Sequence, residues 1–314
     1  MKQVLFSIII PAFKSRYLAE AIESCLNQTY SNFEIVIVDD ASPEGLEVIV
    51  SPYLKDPRVR YYRNNKNCGA VNVVDNWNIC LNYSKGDYVI CMGDDDCLKP
   101  YCLEEYYKLI EKYPHLDVYH AWTEIIDENS KVHDIQAMRP EFESVWSLWW
   151  HRWNPRFRQY IGDFCYSANS LRNNGGFFKL PLAWASDDIT AVRAAIKGGI
   201  ANTQKICFAY RKNSQTISNS ASNIYKLEAI RKEKLWYDKQ INIIPIKSYE
   251  DKLFKNLILD SYQKHWDIKF AYYLTKDLNN NIFRFWKWYC ERKHFGFSIH
   301  ILLRALKNVL FKKL

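Results

Sequence analysis

The stretch VLFSIIIPAFKSRYLAEAIESCLNQTYSNFEIVIVDD (residues 4–40) decides the fold class of this chain. It opens with a continuous apolar and β-branched run, residues 4–10, which is typical of a strand buried on both faces. Pro11 is expected to end this strand, and residues 33–40 form a second run of the same kind. The amphipathic helix between them has its apolar positions at Leu18, Ala21, Ile22, Cys25 and Leu26. A strand, a helix and a strand in this order predict the first parallel pair of an α/β sheet.

The same alternation continues through about the first 120 residues. Strand patterns occur at VRYYRN, YVICM and VYHAWTEII, and helix patterns occur at VVDNWNICLNYS and CLEEYYKLIEKY. Because parallel strands need crossover connections, this pattern predicts an open, mostly parallel sheet with helices on both faces. In folds of this kind ligands bind at the carboxyl ends of the strands.

Two clusters of aspartate residues lie where predicted strands end. Asp39 and Asp40 follow the second strand, and Asp94, Asp95 and Asp96 follow YVICM. A turn or a helix cap explains one such cluster, but two clusters at one sheet edge favour a binding site. Adjacent carboxylates stay ionised together only beside positive charge, which a divalent cation bound to a diphosphate supplies. The sequence contains neither a P-loop nor a GxGxxG motif, so these motifs do not hold the phosphates.

Two further segments leave alternatives open. Residues 139–162 are irregular and aromatic, and they form a packed hydrophobic flap, a wall that stacks on sugars, or both. Asp187 and Asp188 stand at the start of the helix pattern in WASDDITAVRAAIKGG. There they either cap the helix and complement its dipole or take part in chemistry.

The chain has 314 residues, 48% of them hydrophobic, and a formal net charge of +8. From residue 284 onward eight Lys and Arg residues stand against one Glu, so the positive charge is concentrated in the tail. This distribution argues against nucleic acid as a partner and for one localised basic surface. We recognise no transmembrane segment, no signal peptide and no CxxC pair among the nine cysteines. We therefore expect a cytoplasmic protein with reduced, mostly buried cysteines.

Five sequence elements together resemble one known family. They are FSIIIPAFKSRYLAEAIESCLNQTYSNFEIVIVDDAS, NCGAVNVVDNWNICLNYSKGDYVICMGDDDCLKP, NGGF, SDDITAVRAAIKGG and YRKNSQTIS, and they extend over residues 6–218. In this order and spacing they resemble the family 2 glycosyltransferases, which have the GT-A fold, and in particular non-processive members of bacterial surface-polysaccharide assembly. The QxxRW signature of the processive synthases is absent, so the resemblance implies one sugar added per acceptor.

The resemblance implies roles on the nucleotide-binding side. Pro11, Ala12 and Phe13 match the turn after the first strand that lines the nucleotide base. Asp40 matches the residue that reads the base, typically uracil. Asp95 matches the direct ligand of the metal-binding motif, where Mn²⁺ or Mg²⁺ is expected. Asp94 matches the same motif and is expected to support cation and nucleotide binding.

The chain also departs from the family pattern. Lys14 stands where Asn is common, and Gly93 stands where many members carry the first Asp of the metal-binding motif. Asp187 replaces the Glu of a Glu-Asp pair. The second member of that pair, here Asp188, is the usual catalytic base.

The implied reaction is a single inverting displacement with a nucleotide-sugar donor, expected to be UDP-linked. Asp188 takes the proton from an acceptor hydroxyl, and that oxygen attacks the anomeric carbon opposite the nucleoside diphosphate. The cation at Asp95 stabilises the leaving group. Three residues are further candidates. Asp96 is expected to support the metal site or cap a helix, and Arg211 is expected to lie near the diphosphate or in a loop salt bridge. Asp187 is a candidate because it matches the first residue of the Glu-Asp pair.

The predicted organisation comprises a catalytic domain, residues 1–220, and a helical C-terminal region, residues 221–314. Residues 1–120 form the nucleotide-binding half of the catalytic domain, and residues 121–220 form the acceptor half. The final segment has an apolar stripe of Ile299, Leu302, Leu303, Leu306, Val309 and Leu310 beside lysines. This helix either lies on an anionic membrane at the inner face of the cell, near a saccharide or lipid-linked acceptor, or docks on the catalytic domain.

Two other functions remain open. A sugar-phosphate nucleotidyltransferase usually carries a glycine-rich loop with Arg and Lys after its first strand, whereas this chain has PAFKSRYL there. A non-catalytic protein that binds sugars or membranes is expected to lack Asp95 or Asp188, and both are present.

Overall fold

The computed structural model of the protein describes residues 4–154, 157–213 and 222–311. The strands in these ranges are β1 (Phe6–Ala12), β2 (Phe33–Asp39), β3 (Val59–Arg63), β4 (Tyr88–Cys91), β5 (Cys97–Leu98), β6 (Val118–Ile126), β7 (Val132–Ile135), β8 (Phe142–Glu143), β9 (Phe164–Ser167) and β10 (Ile200–Arg211). The α-helices are α1 (Leu18–Leu26), α2 (Leu46–Val50), α3 (Val73–Tyr83), α4 (Cys102–Lys112), α5 (Val145–Trp153), α6 (Ala168–Asn173), α7 (Ser186–Ala195), α8 (Asn223–Ile243), α9 (Tyr249–Asn280), α10 (Arg284–Phe295) and α11 (Ile299–Leu310).

The strands form one sheet in the order β3-β2-β1-β4-β9-β6-β10-β5, with β7 on β6 and β8 on β10. The strands β3, β2, β1 and β4 are parallel, so their carboxyl ends meet at one edge. Strand β9 runs antiparallel between β4 and β6, and β6 and β10 are again parallel. The predicted α/β fold is confirmed, and its parallel strands are β3, β2, β1 and β4 together with the pair β6 and β10.

The first strand continues past the residue that was expected to end it. Pro11 lies inside β1 and is in register with Val38 of β2. The carbonyl of Ile9 accepts a hydrogen bond from Met92, just past the end of β4. The backbone nitrogen of Pro11, two residues further along β1, faces the same side of the strand as the Ile9 carbonyl. At this position β4 has already ended. The missing N–H of Pro11 therefore costs no ladder hydrogen bond.

Strands β1, β2 and β4 are buried almost throughout because helices cover both faces of the sheet. Every residue of β2 is buried, and α1 packs its predicted apolar face on the sheet through Leu18, Ala21, Ile22 and Cys25. All nine cysteines are free thiols, and six of them are buried. The core thus forms directly below the edge where the acidic clusters lie.

The chain divides into two compact units. The N-terminal unit comprises Met1–Lys179 and Ser186–Thr216, and the C-terminal unit comprises Leu180–Ala185 and Ile217–Leu314. The predicted domain boundary at residue 220 lies outside the described residues, so the predicted division stays a prediction.

The C-terminal unit contains the helices α8 to α11. The last helix, α11, buries Ile301, Leu302 and Ala305 inside this unit, whereas Leu303 and Leu310 of the predicted apolar stripe are exposed. Lys312 and Lys313 lie outside the described residues. Within the described ranges, none of the helices has both the length and the apolar character that a membrane crossing requires.

Candidate active site

The acidic pair after β2 organises the loops around it. The carboxylate of Asp39 is fully buried and accepts hydrogen bonds from Ser42 and Tyr61 while it pairs with Arg63. Asp40 accepts hydrogen bonds from the side-chain amide of Asn64, at 2.8 Å, and from the backbone N–H of Cys68, at 3.0 Å. Asp40 therefore fixes the loop after β3 at the sheet edge, and its carboxylate is buried.

The turn after β1 is joined to the turn after β4. Oδ2 of Asp94 accepts two hydrogen bonds of 2.7 Å, from the backbone N–H groups of Phe13 and Lys14. Burial raises the pKa of Asp94 to about 6, and the neighbouring charge of Asp95 adds to this shift. The ring of Phe13 is 39% exposed at the end of β1, so it is available to stack on a ligand, while Ala12 is buried beneath it.

The three carboxylates of Asp94, Asp95 and Asp96, which we call the acidic turn, have different surroundings. Asp96 is buried and accepts a hydrogen bond of 2.8 Å from the backbone N–H of Arg211, and burial together with the charge of Asp95 raises its pKa well above the ordinary value. Asp95 is partly exposed. Its Oδ2 accepts a hydrogen bond of 2.7 Å from Asn213 and lies 3.8 Å from the Lys14 ammonium.

Gly93 leaves the space that this arrangement needs. A Cβ atom at this position would lie 2.8 Å from Oδ2 of Asp96 and 3.0 Å from Oδ1 of Asp95. Glycine at this position departs from the family pattern. It also allows the carboxylates of Asp95 and Asp96 to pack where a side chain would otherwise lie.

The buried side chain of Arg211 stabilises the acidic turn. Its Nε donates a hydrogen bond of 2.7 Å to the backbone carbonyl of Asp95. The guanidinium also pairs with Glu20 at 2.8 Å and lies over the ring of Tyr17 at 4.2 Å. These contacts favour the structural alternative, a loop salt bridge, over a contact with diphosphate.

The described residues contain no group of three or more His, Cys, Asp or Glu side chains arranged to hold a metal ion. Asp94 and Asp96 each use one oxygen for backbone amides, so Asp95 is the carboxylate of the acidic turn best placed to meet a cation. Mg²⁺ is commonly held by one or two carboxylates, waters and the phosphates of a substrate. The side chains present therefore fit a cation whose shell is completed by a bound diphosphate.

The second acidic pair lies at the start of α7. Asp188 is buried, and its Oδ1 pairs with Nε of Arg152 and accepts a hydrogen bond of 2.8 Å from the side-chain amide of Gln159. Asp187 is half-buried, and burial together with the charge of Asp188 raises its pKa well above the ordinary value. The contacts of Asp188 with distant residues go beyond what a helix cap requires.

Gln159 is itself held by a buried arginine. Nη2 of Arg139 donates a hydrogen bond of 3.0 Å to Oε1 of Gln159, which leaves the Nε2 group of the same amide directed at Asp188. Arg139, Arg152 and Gln159 were missed by the sequence analysis. Only their place in the aromatic segment 139–162 marked them, and that pattern does not single out polar residues.

The aromatic segment is largely packed. Trp146 and Trp149 of α5 are fully buried and stack on each other with ring centroids 5.5 Å apart. Trp150 and Trp153 are half-buried. The structure supports the packed alternative for the first two rings.

A stacked pair of tyrosines links the acidic turn with the start of α7. The rings of Tyr160 and Tyr210 lie 3.6 Å apart and nearly parallel. Burial raises the pKa of Tyr210, and the charges of Asp96, Asp95 and Asp187 raise it further. The two acidic sites of the N-terminal unit thus both lie near enough to Tyr210 to raise the pKa of its phenol.

Comparison with known proteins agrees with this geometry. The sequence model described as "Glycosyl transferase family 2" matches residues 7–178, which is more than half of the chain. The chain belongs to this family. This membership confirms the resemblance to the family 2 glycosyltransferases.

Curated relatives match part of the chain. An uncharacterized glycosyltransferase of Haemophilus influenzae is 37% identical over 127 residues, 40% of this chain and 41% of the relative. The putative glycosyltransferase EpsE of Bacillus subtilis is 34% identical over 115 residues, 36% of this chain and 40% of the relative. Glycosyltransferase GlyG of Streptococcus pneumoniae is 31% identical over 110 residues, which are 34% of this chain and 36% of the relative. The chain thus spans less than half the length of these relatives.

Solved structures share the fold. The crystal structure of S. aureus TarS 1-349 in complex with UDP-GlcNAc has a TM-score of 0.63 and 18% identity, and the match covers 86% of this chain and 80% of that one. The same TarS fragment in complex with UDP has a TM-score of 0.61 and 16% identity, and the match covers 97% of this chain and 88% of that one. Together with the sheet described above, this likeness establishes the GT-A type of fold.

Proposed function

We propose that the protein transfers one sugar, with inversion, from a UDP-linked sugar to a hydroxyl of a saccharide or lipid-linked saccharide, and that the transfer depends on a divalent cation. The observation that carries the proposal is the acidic turn. Asp94 joins it to the end of β1, and Asp95 is partly exposed beside Lys14. A carboxylate and an ammonium group at the carboxyl edge of a parallel sheet suit a diphosphate and its counter-ion.

The base and the diphosphate of the donor are assigned to neighbouring parts of this edge. Phe13 offers an exposed ring for stacking, next to Pro11 and Ala12, and Asp40 is assigned to read the base. The Lys14 ammonium is assigned to the diphosphate, because Lys is an effective phosphate binder as a point charge. TarS binds UDP-GlcNAc and UDP, and this supports a UDP-linked donor here.

Asp95, supported by Asp94, is assigned to hold the cation, Mn²⁺ or Mg²⁺. When bound, the cation would stabilise the charge that develops on the departing diphosphate. Asp96 is assigned to stabilise the acidic turn, because its carboxylate accepts a hydrogen bond from the backbone N–H of Arg211.

Asp188 is assigned as the general base. Arg152 and Gln159 both bind Oδ1 of its carboxylate, so Oδ2 is the oxygen that we assign to the acceptor hydroxyl. The two fixed contacts orient the carboxylate, and Arg152 places a positive charge beside it. Proton removal by a positioned carboxylate typically contributes about 10²–10⁴-fold to the rate. Asp187 is assigned a supporting role beside it.

The acceptor and the cellular setting complete the proposal. We assign the protein to bacterial surface-polysaccharide synthesis, where a lipid-linked saccharide presents its hydroxyl at the inner face of the cell membrane. Cytoplasmic location with peripheral contact to an anionic membrane surface would bring the enzyme to such an acceptor.

The test is a panel of UDP-, GDP- and dTDP-linked sugars assayed for donor hydrolysis with Mn²⁺, with Mg²⁺ and with EDTA. Hydrolysis needs no knowledge of the acceptor, because water takes its place. We expect a UDP-sugar to be hydrolysed only with a cation present. Full activity in EDTA contradicts the metal assignment, and preference for a GDP- or dTDP-sugar contradicts the donor assignment.

A further inference from the structure

Helix α10 and the residue before it expose large aromatic side chains to solvent. Trp286 is 68% exposed, and it is the only exposed one of the eleven tryptophans, all of which lie in the described residues. Phe283, which directly precedes α10, is 82% exposed. Large aromatic side chains usually contribute their area to a core or an interface, so two of them in solvent on one helix need a partner.

These aromatic residues share one side of the helix. Phe283, Trp286 and Tyr289 follow one another at intervals of three, which places them on neighbouring positions of one face. The opposite side of α10 is occupied, because Trp288 and Phe295 are buried and pack on each other with ring centroids 5.2 Å apart. The exposed rings are therefore additional to the contacts that hold α10 in the C-terminal unit.

Positive charge surrounds the exposed rings. Four basic residues of α10 stand against one acidic residue, Glu291. Two of the four are tied within the unit, since Arg284 pairs with Asp277 at 2.6 Å and Arg292 lies over the Tyr289 ring at 4.1 Å. The other two, Lys287 and Lys293, are exposed on either side of Trp286, and the Lys287 ammonium lies over the Trp288 ring at 5.1 Å.

We propose that the α10 outer surface, defined by Phe283, Trp286, Lys287, Tyr289 and Lys293, docks on an anionic lipid bilayer. Trp, Tyr and Phe side chains are stabilised at the boundary between headgroups and acyl chains, and lysines are attracted by the negative surface potential. Charge complementarity selects this occupant, because a neutral apolar partner would offer no counter-charge to the two exposed lysines. The inference rests on the membrane setting of the proposed function, but it does not depend on the reaction, so vesicle binding and donor hydrolysis test the two separately.

This assignment places the membrane contact on α10 instead of α11, for which membrane contact and docking were both open. In α11 the predicted apolar stripe does not form one exposed face, because Leu302 is buried inside the C-terminal unit whereas Leu303 and Leu310 are exposed. In α10 the exposed rings and the exposed lysines lie on the same side.

The first experiment measures sedimentation of the full chain with vesicles of phosphatidylcholine alone or with added phosphatidylglycerol. We expect binding to the anionic vesicles only, with an affinity that falls as salt is raised. Absence of binding to anionic vesicles, or equal binding to both vesicle types, overturns the proposal.

Charge reversal provides the matched comparison. Lys287→Glu with Lys293→Glu is expected to lower affinity for anionic vesicles by about tenfold or more. Lys239→Glu with Lys252→Glu makes the same change in net charge at two exposed lysines elsewhere in the C-terminal unit and is expected to have a smaller effect. An equal loss in the two pairs means that net charge alone attracts the protein, and the assigned surface is then wrong.

The aromatic part has its own control and readout. Trp286→Ser is expected to release the protein from vesicles, whereas Tyr249→Ser, at a ring that is 71% exposed on α9, is expected to leave binding unchanged. Brominated lipids should quench part of the tryptophan fluorescence, and Trp286→Phe should remove that quenching while vesicle binding remains. A dimer that Trp286→Ser dissociates, without any vesicle binding by the native chain, would instead assign the surface to a second copy.

Discussion

Three consecutive aspartates in the acidic turn carry three different tasks because their neighbours differ. Asp94 binds the amides of the β1 turn, Asp96 binds the amide of Arg211, and Asp95 alone combines partial exposure with a nearby cationic side chain. Repulsion among them is reduced where burial raises the pKa of Asp94 and of Asp96. The sequence shows three identical residues, and only the fold makes them unequal.

The roles assigned to Asp95 and Asp188 predict different defects. Asp188→Asn should lower transfer by about 10²–10⁴-fold with little change in nucleotide affinity, because only the proton acceptor is removed. Asp95→Ala should weaken both transfer and UDP binding in the presence of Mn²⁺. The measurements are donor turnover and calorimetric titration with UDP. Equal losses of UDP affinity in the two variants contradict the assignment.

Lys14 predicts a selective loss of diphosphate binding. Its ammonium lies 3.8 Å from Oδ2 of Asp95, so a bound diphosphate would come within its reach. We expect Lys14→Ala to weaken UDP binding by roughly tenfold and uridine binding much less, since one charge-assisted contact is lost. Lys66→Ala, at an exposed lysine of the same unit, serves as the control. A parallel loss for UDP and uridine would mean that Lys14 acts on the turn itself.

At the scale of elements, the segment from Arg139 to Gln159 presents polar side chains to Asp188 of α7 while it buries Trp146 and Trp149. Gln159 bridges Arg139 and Asp188, and Arg152 binds the same oxygen of Asp188. The flap is therefore both a packed layer and a support for the carboxylate.

This support predicts a change in kcat rather than in donor binding. Gln159→Leu removes the amide that orients Asp188 and should lower kcat by about tenfold, with KM for the donor nearly unchanged. Gln159→Glu should be worse, since it sets a second carboxylate against Asp188. Gln263→Leu, at an exposed position of α9, is the comparison. A rise in KM at constant kcat would assign Gln159 to substrate binding instead.

Burial within α5 predicts a large effect on stability. Trp146→Ala removes a fully buried ring and should lower the free energy of unfolding by about 3–5 kcal/mol. Trp286→Ala, on the exposed side of α10, should change it by no more than about 0.5 kcal/mol. Urea unfolding followed by circular dichroism measures both. Similar losses in the free energy of unfolding at the two positions would contradict the prediction that the buried tryptophan contributes more to stability.

The predictability of these elements follows the range of the interactions that form them. The β1–α1–β2 unit could be predicted, because its apolar periodicity is local. The end of β1 could not, because the effect of Pro11 depends on where β4 stops. The acidic residues could likewise be found as clusters, but partners such as Asn213 and Gln159 come from distant segments that only the folded chain brings close.

At the scale of the whole molecule, the C-terminal unit includes a piece of chain from the middle of the sequence. Leu180 and Leu182 are buried in it, and Trp184 packs edge-on against Tyr273 with ring centroids 5.4 Å apart. Lys226 of α8 lies over the Trp184 ring at 5.3 Å. These contacts hold the segment that directly precedes α7.

A chain shortened to residues 1–213 is therefore expected to be unstable, because Leu180, Leu182 and Trp184 lose the helices that cover them. We expect a lower melting temperature and a loss of donor hydrolysis beyond what Tyr273→Ala causes in the full chain. Thermal unfolding and the hydrolysis assay compare the two proteins. A truncated chain that melts and hydrolyses like the full one would contradict this expectation.

The interleaved segment Leu180–Ala185 also has a consequence for engineering by recombination. A hybrid enzyme that receives foreign helices after residue 217 would keep six native residues shaped for the helices it has lost. Replacing those six residues together with the helices, both from the same foreign protein, should restore the packing between them. A hybrid of this chain therefore needs three junctions instead of one.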